Sequence, residues 1–352
     1  MAKDMKKKAI GVLVNDIHLN KDNGELVKNI MNQVISLCLE RKIKNIFCGG
    51  DVFTNRSGQP LSCLTTWSEI LREIEKAGLN FEAIPGNHDK TDDDDERSYL
   101  DVYQKSMNVH RRGEYKVFSG VVVAFIPYFQ DEKWLEEYDR ICQEILESED
   151  EDCVKILITH SGFDGVMNND GSKVESLIKP SMFKGWDKVL IGHYHNASKL
   201  AENVIYTGSA YQNNYGETLT DKGCTIIYDD GSVEFVPLKF PKYIKEIIDV
   251  NDNETLRNLI DKYDGEDYNH IRFVFRGSKV DASKVDKETL SRLGIDTKFE
   301  AEETGANIMA AEETGTISFD RKSIVKDFVK FCSENGIREK RLQYGLKLIK
   351  SI

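Results

Sequence analysis

Histidine, aspartate and asparagine recur in short motifs along the first part of this chain. Five of the seven histidines in the 352-residue sequence lie in these motifs. Imidazole nitrogens, carboxylates and an amide oxygen are together the ligands that a pair of borderline divalent cations requires. The pattern therefore predicts a two-metal hydrolase. The motifs are Asp16-Ile17-His18, Gly50-Asp51, Gly86-Asn87-His88-Asp89, His160 and Gly192-His193-Tyr194-His195.

Each motif follows an apolar run that predicts a buried parallel strand. The carboxyl ends of such strands meet at one edge of a sheet, where α/β proteins place their sites, and the glycines allow sharp turns there. Two cations about 3.5 to 4 Å apart can clamp both the attacking and the leaving oxygen of a displacement at phosphorus. A histidine outside the coordination shell can protonate the leaving group. The predicted strands are 9–14, 45–48, 81–84, 155–158 and 188–191.

Each motif taken alone also has a purely structural interpretation. A strand-end aspartate often caps the next helix, and a histidine is often a hydrogen-bonded core residue. Five motifs in this order, each after its own strand, favour the chemical interpretation.

The motif series resembles the signature of the calcineurin-like metallophosphoesterase superfamily, which runs D-x-H, G-D, G-N-H-D/E, H and G-H-x-H. The resemblance implies an α/β fold in which a two-sheet sandwich is flanked by helices. It also implies that Asp51 bridges two metals and that His88 is the general acid, with Asp89 orienting a neighbouring group. The implied ligands are Asp16, His18 and His195 for one metal, and Asn87, His160 and His193 for the other.

Within that superfamily the chain looks most like SbcD-type and phage recombination nuclease subunits. The similarity lies in residues 49–53 and 206–210 and in the order of domains. It implies a DNA phosphodiesterase, an exonuclease on duplex ends and an endonuclease on single strands, with Mn²⁺ as the expected metal in DNA repair or recombination. The ligand types alone also admit Zn²⁺, Fe²⁺ or Mg²⁺. One departure is Thr54, where cellular members commonly have histidine, and this leaves one strand-positioning contact in doubt.

Four regions are predicted along the chain. The metallophosphoesterase domain, 1–240, precedes a small α+β capping domain, 241–300, and a polar linker, 301–320, in which Ala-Glu-Glu-Thr-Gly occurs twice. The tail, 321–352, is predicted as basic amphipathic helices. It carries nine Lys/Arg against three Asp/Glu, whereas the whole chain has a net charge of −12.

The family resemblance implies that this tail docks an SbcC-like ABC/SMC-type ATPase. Alternatives are a helix packed on its own core and a basic patch that contacts DNA. An acidic chain must borrow or concentrate the cations that bind a polyanion. We therefore expect the ATPase to supply much of the grip on DNA.

Apolar residues at helical spacing predict helices at 24–41, 61–76, 98–107 and 133–146. The second and third are expected to form a homodimer contact, since SbcD-type proteins pair through helices in these places and two-fold dimers are the commonest homo-oligomers. The acidic stretches 92–96 and 147–152 are predicted as solvated loops. The apolar candidates for the dimer contact are Leu64, Trp67, Leu71, Tyr99 and Tyr103.

The N-terminal apolar run is too short for a signal peptide or a membrane span. Seven cysteines without paired spacing indicate reduced thiols in a cytosol-like compartment. The nuclease resemblance implies that this is the cytoplasm of a bacterium, or the host cytoplasm if the chain is phage-encoded. Two rival functions stay open. One is a stand-alone phosphoesterase for small nucleotides or phosphoproteins, and the other is a non-enzymatic assembly subunit in which the metals stabilise the fold.

Overall fold

The computed structural model describes residues 7–148, 153–167, 172–218, 220–265, 268–277 and 285–301. Its helices are α1 (Gly24–Arg41), α2 (Leu61–Lys76), α3 (Asp131–Leu146), α4 (Asn253–Tyr263) and α5 (Lys287–Arg292), with short 3₁₀ helices at Tyr99–Tyr103 and Pro180–Phe183. Its strands are β1 (Ala9–Val14), β2 (Asn45–Cys48), β3 (Asn80–Ala83), β4 (Asn108–Val109), β5 (Glu114–Phe118), β6 (Val121–Ile126), β7 (Val154–His160), β8 (Lys188–Gly192), β9 (Ser198–Lys199), β10 (Val204–Tyr206), β11 (Gly223–Tyr228), β12 (Val233–Pro237), β13 (Tyr243–Asp249), β14 (His270–Gly277) and β15 (Ile295–Ala301).

Two six-stranded mixed sheets form the body of the protein. The first has the order β12-β11-β1-β2-β3-β4 and the second the order β5-β6-β7-β8-β10-β9. Strands β1, β2 and β3 run parallel, as do β6, β7 and β8, while β11 and β5 pair antiparallel with their neighbours. The motif-bearing strands are therefore divided between the sheets. The predicted two-sheet α/β sandwich is confirmed.

Apolar side chains of the central strands alternate between two cores because strand neighbours point to opposite faces. On β1, Val12 and Val14 pack in the cluster that also holds residues of α1 and α2, whereas Leu13 faces the cluster between the sheets. The outer face of the second sheet is covered by α3 through Trp134. Helix, sheet, sheet and helix thus form successive layers, and the motifs lie at the strand ends.

Three of the residues expected at a dimer contact, Trp67, Leu71 and Tyr103, are instead buried within the chain. Trp67 and Leu71 are 0% and 1% exposed, and Trp67 packs edge-on to Phe81 with ring centroids 5.6 Å apart. Tyr103 is also buried and donates to the Leu64 carbonyl. These side chains belong to the core of their own chain, because an apolar helix face does not specify which surface covers it. The predicted helix at 98–107 is a 3₁₀ helix over Tyr99–Tyr103.

A smaller three-stranded sheet, β13-β14-β15, follows the two large sheets in sequence. The chain divides into two compact units, the first containing the residues up to 246 with 260–273 and 287–297. Within the described part, the second contains 247–259, 274–277, 285–286 and 298–301. The domain boundaries given above stay predictions. The linker from residue 302 onward and the tail, 321–352, lie outside the described residues.

No helix in the described part of the chain is long and apolar enough to cross a membrane. The six cysteines located there are free thiols. Of the acidic stretches, 92–96 is a surface loop in which Asp93 pairs with Arg56 and accepts from Gln130 Nε2 at 2.7 Å.

His110 connects the edges of the two large sheets through buried charge. Its Nε2 lies 2.9 Å from Glu82 Oε2 and its Nδ1 lies 3.1 Å from Glu114 Oε2. Lys116 donates to the same Glu82 oxygen at 2.7 Å. Burial disfavours the charged imidazole, but the two glutamates outweigh it and raise the pKa of His110 above 6.5. The two glutamates therefore favour the charged imidazole in the folded protein.

We expect His110→Gln to lower the free energy of unfolding by about 3 kcal/mol near pH 6, because it breaks a buried ion pair. The raised pKa of His110 gives stability that is complete below pH 6.5 and lost as pH rises through the folded value. The pKa values of Glu82 and Glu114 are lowered from 4.5, so their share is lost in acid. Urea denaturation from pH 5 to 9 measures this, with the exposed His270→Gln as control. The difference in free energy of unfolding between the wild type and His110→Gln should narrow above neutral pH. A constant difference would contradict the assigned charge.

Candidate metal centre

Backbone strain is concentrated at the predicted ligands. Asp16, His18, Asp51 and His193 all have positive φ, at 53°, 48°, 55° and 88°. In the described ranges, the only other non-glycine residues with positive φ are Lys42 and Ser119. Left-handed backbone is uncommon for residues other than glycine, and where it occurs it clusters at functional sites. The turns that follow β1, β2 and β8 are therefore shaped to aim side chains.

The first ligand group consists of Asp16, His18 and His195, whose ligand atoms all lie within 4.8 Å of one another. His18 Nε2 is 2.9 Å from His195 Nε2, which is 3.9 Å from Asp16 Oδ1. Asp16 is fully buried, whereas the His195 side chain is 23% exposed. The group is thus anchored in the interior and open on one side.

The second ligand group is built around Asn87. Its Oδ1 lies 3.1 Å from His160 Nε2 and 3.1 Å from His193 Nδ1. His160 is fully buried at the end of β7, and Asn87 and His193 are half-buried. The strands of both sheets therefore deliver side chains to one place.

Asp51 lies between the two groups. Its Oδ2 is 3.3 Å from His160 Nε2 and 3.6 Å from His18 Nε2, while its Oδ1 accepts from the His88 amide at 2.8 Å. A Cβ at Gly86 would stand 2.2 Å from that Oδ1, so only glycine allows this approach. One carboxylate oxygen thus faces both ligand groups. The seven residues that the sequence predicts as ligands are brought together in this arrangement.

The donor set fits a pair of cations. His160 Nδ1 contacts the Gly49 carbonyl at 2.8 Å, and since a carbonyl can only accept, that nitrogen carries the hydrogen. If the ring is neutral, the lone pair of Nε2 then faces Asn87 Oδ1 and Asp51 Oδ2. Three acceptors facing one another are unfavourable unless a positive charge lies among them. A proton on Nε2, which the raised pKa of His160 favours, can supply that charge, and a bound divalent cation would supply it in place of the proton.

The pKa values express the same requirement for positive charge. Burial opposes ionisation of Asp51, but His160 and His18 outweigh it and lower its pKa. Burial likewise disfavours charged His160, yet Asp51 raises the pKa of that imidazole to about 9. Burial lowers the pKa of His193 to about 3 and that of His18 to about 4. These two rings are neutral at physiological pH and can donate lone pairs to a metal.

Comparison with known proteins agrees with this geometry. Residues 12–197, more than half of the chain, match the family model described as calcineurin-like phosphoesterase. The chain belongs to the calcineurin-like phosphoesterase family. It is 20% identical over 288 residues to "Putative phosphoesterase 078R" of Invertebrate iridescent virus 3, with 76% of each chain covered. It is also 20% identical over 280 residues to "Putative phosphoesterase 244L" of Invertebrate iridescent virus 6, covering 76% of this chain and 93% of the relative.

Membership makes this calcineurin-like phosphoesterase a phosphoester hydrolase of a family that uses divalent metals. The matched range contains all five motifs. The two ligand groups therefore lie in the part of the chain that carries the family relationship.

Asp89 ties together the two loops that carry Asp51 and Asn87. Its carboxylate accepts from the amides of Val52, Phe53 and Gly86 at 3.2, 2.9 and 3.0 Å. Burial and the nearby Asp51 raise the pKa of Asp89 to about 7, against these three donors. Asp89 is completely buried, and its carboxylate joins the backbone that follows Asp51 to the Gly86 amide. The orienting role expected for Asp89 stays a prediction.

His88 projects beside the first ligand group without joining it. Its Nδ1 is 2.6 Å from the Thr54 carbonyl, and its ring meets that of His18 edge-on with centroids 5.0 Å apart. Thr54 also donates its hydroxyl to the His18 carbonyl at 2.7 Å. The Nδ1 contact fixes the ring, so Nε2 is the ring nitrogen that can face a substrate. Thr54 thus contacts the general-acid candidate through its carbonyl and the loop of His18 through its hydroxyl.

Two further residues support His195, and no motif signals them. Glu217 Oε1 lies 2.7 Å from His195 Nδ1 and also accepts from Asn214 Nδ2 at 2.8 Å. Lys222 is 3% exposed. Its ammonium donates one hydrogen bond to the His195 carbonyl and another, of 3.2 Å, to Asn196 Oδ1. A carboxylate behind a histidine fixes its tautomer and increases its basicity toward a metal. Both residues follow the last motif in irregular chain, so sequence spacing gives no sign of them.

We expect Glu217→Gln to weaken metal binding at the Asp16, His18 and His195 group by roughly 10- to 100-fold. The group around Asn87 should keep its affinity, because Glu217 contacts none of its members. Calorimetric metal titration resolves the two sites, and Glu202→Gln, whose side chain is 91% exposed, is the matched control. Equal weakening of both sites would instead indicate a general loss of structure.

Proposed function

We propose that this calcineurin-like phosphoesterase is a two-metal DNA phosphodiesterase that uses Mn²⁺. The observation that carries the proposal is the position of Asp51 Oδ2, which faces His18 Nε2 and His160 Nε2 at 3.6 and 3.3 Å. Bound metals would clamp the attacking and leaving oxygens of an in-line displacement at phosphorus. Ligand groups joined by one carboxylate oxygen suit such a pair.

The protein's own residues account for proton transfer and positioning. Water attacks phosphorus and the bond to the leaving sugar oxygen breaks. That oxygen takes a proton that His88 delivers through Nε2, while the proton lost by the attacking water passes to solvent, from which His88 is reprotonated. Thr54 holds the ring through its carbonyl, 2.6 Å from Nδ1, so that the acid need not reorganise during the reaction. Asp89 keeps the loop of Asp51 in place through its three amide contacts.

An open site supports a polymeric substrate. Asn87, His88 and His193 are half-buried, and the His195 side chain is 23% exposed, so the ligand groups adjoin the surface. A small-molecule site usually encloses its ligand more fully. We infer exonuclease action on duplex ends and endonuclease action on single strands, with support from the motif resemblance to SbcD-type nucleases.

The proposal includes two partners. The basic residues 321–352 would dock an SbcC-like ATPase that supplies the cations a chain of net charge −12 lacks for gripping DNA. A second copy would pair through the surface near α2, where Leu61 and Val102 are 75% and 71% exposed. The complex would work in the cytoplasm on repair or recombination intermediates, where free thiols stay reduced.

Purified full-length protein with Mn²⁺ would be assayed on linear duplex DNA, single-stranded circles and a panel of nucleotides, with and without a co-encoded ATPase. DNA turnover that rises with the ATPase and ATP is the expected result. Nucleotide or phosphoprotein turnover without DNA turnover would overturn the proposal and favour a stand-alone phosphoesterase.

A further inference from the structure

Four side chains beside the metal centre form a continuous stack that the proposed reaction does not use. Arg272 Cζ lies 3.9 Å from the ring centroid of Tyr215, whose ring meets Tyr243 edge-on at 4.8 Å. Tyr243 in turn stacks on His270 at 4.4 Å with an interplanar angle of 23°. The two tyrosines are half-buried and His270 is exposed. The stack therefore ends in an aromatic ring at the surface.

This stack is linked to His195 indirectly, through the loop that carries Glu217. Glu217, which accepts from His195, also accepts from the side chain of Asn214 at 2.8 Å, and Tyr215 is the next residue in the chain. The Tyr243 amide donates to Gln212 Oε1 at 2.8 Å. The loop that supports one metal ligand thus also supports the aromatic stack.

Positive charge lines the groove next to the stack. A cavity of about 450 Å³ has Tyr243 in its wall together with Lys222, Lys242 and Lys245, against one carboxylate, Asp221. Lys222, in the wall of the groove, also donates to the His195 carbonyl, so the groove and the first ligand group share this residue. Arg272 is neutralised by Asp296, whose Oδ2 lies 2.7 Å from its Nε. Lys222 is buried, so the exposed Lys242 and Lys245 are the cations that a polyanion would meet, in a chain that is acidic as a whole.

Aromatic faces beside a lysine-lined groove match the chemistry of a single nucleic acid strand. Unpaired bases stack on aromatic rings, and lysines contact the phosphates that join them. A duplex would offer its phosphates, but its bases are already stacked on one another. The exposed His270 ring and the groove together therefore favour single-stranded over double-stranded DNA.

We propose that this surface binds single-stranded DNA at the entrance to the metal centre, with a base stacked on His270 and phosphates against Lys242 and Lys245. The proposal rests on the proposed function, because the strand held here would be the substrate. It goes further because it assigns a surface that binds the strand at residues other than the candidate metal ligands.

Binding of a fluorescent oligothymidylate of about 15 nucleotides to the full-length protein tests this assignment by anisotropy. The measurement uses a His88→Ala background with Mn²⁺, so that cleavage is slow. We expect His270→Ala to weaken binding about tenfold, while His270→Phe, which keeps an aromatic face, restores it. Lys242→Gln with Lys245→Gln should lower the slope of log affinity against log salt by about 1.4. Matched controls are Phe235→Ala, an exposed aromatic on β12, and Lys184→Gln.

Hydrolysis of bis(4-nitrophenyl) phosphate by the same substitutions with His88 intact separates this assignment from the proposed function. Loss of strand binding with this hydrolysis unchanged supports the surface. If neither His270→Ala nor the two lysine changes alter the affinity for the oligothymidylate, the assignment of this surface is wrong, even if DNA is cleaved. Equal affinity for duplex and single strands, or a loss that His270→Phe does not restore, also overturns it. Failure to cleave any DNA would count against the proposed function alone.

Discussion

Replacing Asp51 by asparagine should empty both ligand groups of metal and reduce phosphodiester hydrolysis by about 10³-fold or more. The fall corresponds to about 4 kcal/mol, the scale of the transition-state stabilisation that bound metal ions supply. Asparagine keeps an oxygen that can accept from the His88 amide, now 2.8 Å from Oδ1. It removes the negative charge that lies 3.3 Å from His160 Nε2 and 3.6 Å from His18 Nε2. The substitution therefore tests the charge with little change of shape.

Metal content per chain after dialysis, measured by atomic emission, decides the outcome. The wild type should hold two ions and Asp51→Asn fewer than one, while Asp22→Asn, whose side chain is 75% exposed, should match the wild type. Thermal unfolding without metal should be nearly the same for all three proteins. Two ions retained by Asp51→Asn would remove Asp51 from its bridging position.

The strands and helices that carry strong periodicity could be predicted from the sequence. β1, β2, α1 and α2 have the predicted bounds, because short apolar runs and helical spacing are local signals. The candidate ligands could be located for the same reason, since each motif stands directly after such a run. The structure adds the pairing of strands, which divides the motifs between two sheets, and local patterns do not encode that division.

Residues whose importance depends on tertiary contacts could not be predicted. Glu217 and Lys222 act on His195 from a loop without periodicity. Trp67 illustrates the opposite case, since its helix was predicted with the correct bounds while the surface that covers it was not. The apolar face of α2 packs on its own sheet, and helical spacing alone cannot distinguish that sheet from a second copy. Burial of Asp89 against three backbone amides likewise emerges only when two loops meet.

His88→Ala should slow cleavage of DNA by roughly 10² to 10⁴ while both metals stay bound. The reason is geometric, because His88 Nδ1 contacts the Thr54 carbonyl at 2.6 Å and the ring lies edge-on to His18 rather than among the ligand atoms. A sugar alkoxide needs a proton to leave, whereas 4-nitrophenolate is stable enough to leave without one. The substitution should therefore affect bis(4-nitrophenyl) phosphate far less than DNA.

The comparison of leaving groups distinguishes an acid from a ligand. His195→Ala removes a donor that lies 2.9 Å from His18 Nε2, so it should lower metal content and slow both substrates together. His88→Ala should slow cleavage of DNA much more than hydrolysis of bis(4-nitrophenyl) phosphate. His270→Ala should leave hydrolysis of this small ester unchanged. If His88→Ala loses a metal, or slows both substrates equally, then His88 acts on the metal centre itself. The proton for the leaving oxygen must in that case come from water.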